Sequence, residues 1–145
     1  MDAMPFDITI ARLNELPDAA TPLAHCGNRD VFDPPHPGDS SLGFVLPIGH
    51  PGGRDLTYSI GDNDVLDHDL SHDDDALAYV CYTANTEGGS SGCPIFSGAG
   101  EVVAVHQRWS PKRLTRSPRI GIPATATTNH GIALANLIRR VNPSG

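Results

Sequence analysis

Residues 89–94 read Gly-Ser-Ser-Gly-Cys-Pro. Small residues on both sides of Ser91 are what a tight turn needs if two backbone N–H groups are to point at one developing oxyanion. The natural donors are the amides of Gly89 and Ser91. A serine hydroxyl is a poor nucleophile at neutral pH and requires an adjacent base, usually an imidazole held by a carboxylate. The stretch is not a G-x-S-x-G elbow, because Cys93 stands where the second glycine belongs and β-type runs rather than a strand-to-helix turn surround it. Taken alone, the same four small residues also suit an ordinary Gly/Ser-rich hairpin turn.

The elements that must hold such a turn are mostly strands. In residues 6–13, Phe6, Ile8 and Ile10 alternate with Asp7, Thr9 and Ala11, the period-2 pattern of a strand. Residues 14–41, rich in Pro, Asp, His and Gly, read as a long connection with at most one short strand near residues 21–24. Residues 42–53 read as a strand ended by a turn. An acidic loop at residues 67–75 follows, and then three β-type runs at residues 76–84, 93–97 and 101–109. After residue 130 the spacing of Leu134, Leu137, Ile138 and Val141 fits one face of a helix, with Arg139 and Arg140 suiting its C-terminal dipole. Many short strands with Gly and Pro turns, closed by one helix, predict an all-β antiparallel barrel.

Composition narrows the function. The chain has 145 residues, 39% hydrophobic and 19% charged, the size and balance of one globular domain. No apolar run approaches the roughly 18–20 residues that span a bilayer, and residues 1–7 lack a signal-peptide pattern, so a soluble, cytoplasmic chain with no membrane partner is expected. The net charge of −7 opposes nucleic-acid binding, and the basic stretch Arg108–Arg119, which contains two prolines, reads as a solvated loop. Cys26, Cys81 and Cys93 lack CxxC spacing, which points to reduced thiols rather than a disulfide framework or a zinc ribbon. His68 and His72 have ligand spacing on a helix, but nothing apolar surrounds them to build a closed metal site. Neither a metal nor a cofactor is expected.

Against this background the segment around Ser91 resembles the active-serine loop of trypsin-like (chymotrypsin-fold) serine peptidases, especially their bacterial glutamyl-endopeptidase-like branch. Four stretches match in the family's order. Residues 6–13 resemble the strand that presents the triad aspartate, which makes Asp7 the candidate. Residues 48–53 resemble the strand and turn early in the second barrel, where the histidine, here His50, is not catalytic. Residues 86–94 resemble the nucleophile and oxyanion loop, and residues 101–109 with 129–138 resemble the closing strands and C-terminal helix. The resemblance implies the second antiparallel Greek-key barrel of a chymotrypsin-like fold with one C-terminal helix. Residues 1–13 would be a remnant strand of the first barrel carrying the Asp, and residues 14–145 the second barrel.

The resemblance further implies a serine-type endopeptidase working through an acyl-enzyme, with Ser91 as nucleophile, Asp7 as orienter and Gly89 and Ser91 as the oxyanion hole. Thr86, five residues before Ser91, and His106, fifteen after it, resemble the pair lining the specificity pocket of glutamate-specific members. A peptide or protein substrate with an acidic P1 residue, the one before the scissile bond, would be the partner. Cys93 replaces a Ser or Gly usual two residues after the nucleophile and is itself off the nucleophile position. The family's order is His, Asp, Ser, and no histidine precedes Asp7; His25, His36 and His50 all follow it. The expectation is therefore an incomplete chain lacking the catalytic histidine, inactive alone, whose base comes from an N-terminal barrel in cis or in trans. The alternative is a non-catalytic pseudoprotease or peptide-binding module.

Overall fold

The computed structural model describes residues 8, 11, 14–15, 20–25, 43–69, 79–113 and 125–141. Within them run strands β1 (Val45–Gly49), β2 (Thr57–Tyr58), β3 (Val65–Asp69), β4 (Tyr79–Tyr82), β5 (Pro94–Ser97), β6 (Val102–Arg113) and β7 (Thr125–Ala133), then helix α1 (Leu134–Val141). The strands form one sheet in the order β2-β1-β5-β6-β7-β4-β3, with each neighbouring pair antiparallel. Strand β4 precedes the β5–β6–β7 meander yet lies beside β7, which is a Greek-key connection. The sheet curls until β1 and β3 meet at the Phe44–Asp64 bridge, where Val45 N–H donates to Asn63 O (3.0 Å) and Val65 N–H to Gly43 O (2.8 Å). The all-β Greek-key expectation holds.

Alternation explains most of the core. Val45, Val65, Val80, Tyr82, Ile95, Val103, Ala104 and Ala133 form one cluster and are at most 1% exposed, the adjacent Val103 and Ala104 both joining it where the β5–β6 register shifts. Each fully buried Val or Ile contributes about 1.5–3 kcal/mol. On β5 the buried Ile95 and Ser97 alternate with the half-buried Pro94 and Phe96. Helix α1 packs on β6 and β7, with Ala135 and Leu137 buried.

Two expectations need correction. The acidic segment begins inside the barrel: residues 65–69 are strand β3, since Val65 and Leu66 are buried and β4 supplies the pairing partner. The basic stretch is likewise not all loop, because β6 continues through Arg113 and pairs with β7 as far as Thr125. Pro111 is tolerated there because, among the described residues, β6 pairs with β5 only from Val102 to Val105 and has no strand on that side beyond it. In the long N-terminal connection, His25 makes a single parallel bridge to Val102, where Val102 N–H donates to Ala24 O (2.9 Å). The predicted strand carrying Asp7 lies outside the described residues.

Gly49, the last residue of β1, faces β5 so closely that a Cβ there would lie 2.6 Å from Cys93 Cβ. A Cβ cannot swing away as a side-chain tip can, so backbone would have to shift. Gly49→Ala should cost about 1–3 kcal/mol through overpacking, read as a lower urea midpoint with an unchanged m-value.

Candidate active site

The nucleophile loop is built from two successive turns. Ser90 N–H donates to Glu87 O and Cys93 N–H to Ser90 O, both at 3.1 Å, closing turns over 87–90 and 90–93. Gly89 (φ +94°) and Gly92 (φ +86°) hold the third position of each, where a type II turn demands positive φ. Gly89 has a second reason to be glycine: a Cβ would lie 3.2 Å from Gly52 N and 3.4 Å from His50 O. Those atoms belong to the 3-10 turn Pro51–Gly53 and its N-cap His50, and the turn is fastened to the loop by Gly52 N–H donating to Gly88 O (2.7 Å). The Arg54–Glu87 ion pair (2.8 Å) spans the same two segments; it is exposed, so solvent screens it and its role is positional.

The two serines are sorted by the fold. Ser90 is buried, and its Oγ accepts the Glu87 N–H at 3.3 Å, a role inside the turn. Ser91 is exposed, and its Oγ donates to Gln107 O at 3.0 Å. That carbonyl is available because β6 carries a bulge at Gln107: His106 pairs with Gly131 and Arg108 with the very next residue back, His130. Around Ser91 the amides divide cleanly. Ser90, Gly92 and Cys93 N–H donate to Glu87, His106 and Ser90 carbonyls, whereas the N–H groups of Gly89 and Ser91 have no acceptor among the described residues. These are the two amides expected to form an oxyanion hole. Cys93 is buried, and desolvation pushes its thiol up from the usual range, which makes it a packing residue rather than a nucleophile.

No described histidine hydrogen-bonds to Ser91. The Nδ1–H of His50 donates to Arg54 O (2.9 Å), and His25 is exposed beside Val102. His130 is buried with Nε2 3.1 Å from Thr128 Oγ1. Asp7 and His36 lie outside the described residues. Among the described residues no group of three or more His, Cys, Asp or Glu side chains converges as a metal site requires.

Thr86 and His106 are placed differently from expectation. Thr86 lines a cavity of about 600 Å³ together with Tyr82, Trp109, Asn129 and the carboxylates of Asp62 and Asp64. Its hydroxyl donates to Asn129 Oδ1 (2.5 Å), and Asn129 Nδ2 donates to Ala84 O (2.8 Å). His106, only 3% exposed, is not on that wall; it sits behind Tyr82, whose hydroxyl is hydrogen-bonded to Nδ1 at 2.6 Å. Burial lowers the His106 pKa to about 4, so the ring is neutral near pH 7. Burial likewise raises the Tyr82 pKa and keeps its hydroxyl protonated. The spacing of residues 86 and 106 around Ser91 was legible; the Tyr82 and Asn129 side chains between them were not, because β4 and β7 bring them in.

Comparison with known proteins bears on this geometry. Residues 2–105 match the family model described as "Trypsin-like peptidase domain". No curated protein matches the chain significantly. Among solved structures, Rv3671c from M. tuberculosis H37Rv, crystallised as a serine-to-alanine mutant in an inactive form, is similar with 16% identity and a TM-score of 0.48. The alignment covers 86% of this chain and 54% of that one, so the chain spans about half its length.

The buried imidazole makes stability depend on pH. Its folded pKa of about 4 lies below the ordinary 6.5, so the unfolded chain binds more protons between those values. Stability should be full above pH 6.5 and fall by up to about 3 kcal/mol as pH drops toward 4, read from urea midpoints across that range. Tyr82→Phe leaves a buried ring nitrogen unpaired and should cost a further ~1–3 kcal/mol at pH 7.

Proposed function

Since the chain belongs to the trypsin-like peptidase domain family, whose fold is chymotrypsin-like, we propose that it is the nucleophile-bearing barrel of a serine endopeptidase. One observation carries the reading: the loop satisfies every amide from Ser90 to Cys93 except that of Ser91, and leaves Gly89 open beside it. Both residues are exposed, so their N–H groups are free to bond water until an anion arrives. In this reading those two donors take the negative charge that develops on a carbonyl attacked by Ser91 Oγ. Each is worth about 2.7–4 kcal/mol of transition-state stabilisation in comparable sites.

In this reading Ser91 Oγ adds to the scissile carbonyl, its proton passes to an imidazole, and the amine leaves with that proton to give an acyl-enzyme, which water then hydrolyses. The imidazole is supplied by an N-terminal barrel, in cis or in trans, because the described histidines are engaged elsewhere or make no bond to Ser91. Asp7 is the proposed orienter of that imidazole. The cavity beside Thr86 receives the residue before the scissile bond. An acidic residue there would face Asp62 and Asp64 with no Lys or Arg among the described lining residues, so the proposal goes forward without an acidic preference. A peptide-binding module that does not cut is favoured by a different observation, the Ser91 hydroxyl resting on a backbone carbonyl rather than on a base.

Labelling with an alkyl fluorophosphonate separates the two. The chain alone should label at Ser91 slowly, several orders of magnitude below an intact triad. Added imidazole should accelerate labelling in proportion to its unprotonated fraction, in the parent chain and in Ser90→Ala but not in Ser91→Ala. No modification of Ser91 at any imidazole concentration would leave the binding module as the reading.

A further inference from the structure

The peptide joining Gly88 to Gly89 is trans, so its C=O and N–H point in opposite directions. Gly88 O accepts Gly52 N–H at 2.7 Å, which directs the oxygen toward the Pro51–Gly53 turn and the Gly89 N–H away from it. That peptide is the central one of the turn over 87–90. Turns of types I and II share the bond that closes them, here Ser90 N–H to Glu87 O, and differ by about half a rotation of the central peptide. Gly89, at φ +94°, is in the type II form; the type I form would reverse the peptide and put Gly88 O where the Gly89 donor now points. The loop's own residues do little to choose between the two. Both torsions that flip the peptide, ψ of Gly88 and φ of Gly89, belong to glycines, so no Cβ resists the rotation. Gly88 and Gly89 are exposed, and a Cβ on Gly88 would meet nothing within 4 Å, so burial does not hold the peptide either.

We infer that Gly52 is a positioning residue of the oxyanion site: its N–H holds the 87–90 turn in the form that presents the Gly89 N–H as a donor. The inference rests on the peptidase reading, in which the Gly89 and Ser91 amides take the charge of the attacked carbonyl. The restraint is built into the neighbouring turn. Gly53 N–H donates to His50 O (3.0 Å), Arg54 N–H to Pro51 O (3.2 Å) and His50 Nδ1–H to Arg54 O (2.9 Å), three bonds around Gly52 that fix the direction of its own N–H. Gly52 itself sits at φ +64°, in the left-handed region that favours glycine. The Arg54–Glu87 pair (2.8 Å) ties the same two segments through side chains. Without the Gly52 bond the loop has a second form in which a carbonyl oxygen, and no donor, faces the developing charge. Gly52 thus acts on the transition state through Gly89, without touching the substrate.

The test replaces the Gly52 amide by an ester in the full chain, with glycolic acid at position 52, which removes the N–H and adds no Cβ to the left-handed backbone. Two readouts are taken. The NMR cross-peak between Gly88 Hα and the Gly89 N–H is strong in a type II turn and weak in a type I turn, and it does not depend on whether Ser91 reacts. The parent chain should show the strong peak and the ester chain a weakened one. Fluorophosphonate labelling of Ser91 at a fixed imidazole concentration is the second readout. Its maximal rate should fall about tenfold where both turn forms are populated, and up to about 10³-fold where the type I form takes over. The probe concentration for half-maximal rate should stay as in the parent, because the lost N–H meets no part of the probe. A role in fastening alone would lower the urea midpoint while leaving the cross-peak and the maximal rate unchanged, and that result would overturn the inference. A weak cross-peak in the parent chain overturns it as well, with no substitution and so whether or not the ester chain folds. Failure of the parent to label at any imidazole concentration sinks the peptidase reading while the cross-peak still reports whether Gly52 sets the turn; equal labelling of parent and ester chains sinks the inference alone.

Discussion

Two backbone hydrogen bonds at His106 hold the nucleophile loop to the barrel: Gly92 N–H to His106 O (2.8 Å) and His106 N–H to Cys93 O (2.9 Å). They extend the β5–β6 ladder by one step past Pro94, and the position of Ser91 follows from them. Because Gly92 N–H is consumed there and Ser90 and Cys93 N–H close their own turns, Gly89 and Ser91 are the amides of residues 89–93 without an acceptor among the described residues. The bond pair also sets where β6 must bulge. One residue later, at Gln107, the ladder with β7 slips by one, and the carbonyl so released is the one that takes the Ser91 hydroxyl.

Behind this loop the barrel interior is more polar than its strand patterns suggest. Tyr82 with His106, Thr86 with Asn129, and Thr128 with His130 each pair a buried or half-buried polar side chain with another. Such pairs cost desolvation and return it only when geometry is met, so they favour one arrangement of β4, β6 and β7 over its neighbours. The Thr86–Asn129–Ala84 chain runs from the loop before Ser91 to β7, fixing the wall of the cavity from below. A groove that Ser91 lines shares no lining residue with that cavity, and its Leu23 and Leu56 are exposed.

Local pattern made part of this readable. The β5–β6 hairpin was legible because Ile95 and Ser97 face inward in strict alternation and the Gly98–Glu101 turn interrupts them. The C-terminal helix was legible from the spacing of Leu134, Leu137 and Ile138. Strand β3 was hidden, since Asp67, His68 and Asp69 carry the signature of a loop and become strand only because β4 offers a partner across the barrel. The outer half of the β6–β7 ladder was hidden in the same way by Pro111 and the basic residues around it. At the site, the offsets of Thr86 and His106 from Ser91 could be counted, but not the depth of each side chain: His106 is buried behind Tyr82 while Thr86 reaches the cavity.

The order of residues alone determined that the chain can turn twice between 87 and 93, because only glycine takes positive φ without strain and glycines stand at both required positions. It likewise determined that the flanking segments alternate as strands. Which serine is exposed, and which amides keep no acceptor among the described residues, was decided only by tertiary structure. An amide is satisfied or not according to the acceptor that another segment brings to it, and here β6 brings His106 O to Gly92 and Gln107 O to Ser91 Oγ. Ser90 and Ser91 are equivalent as letters. Burial against the turn and exposure above the bulge make them different atoms.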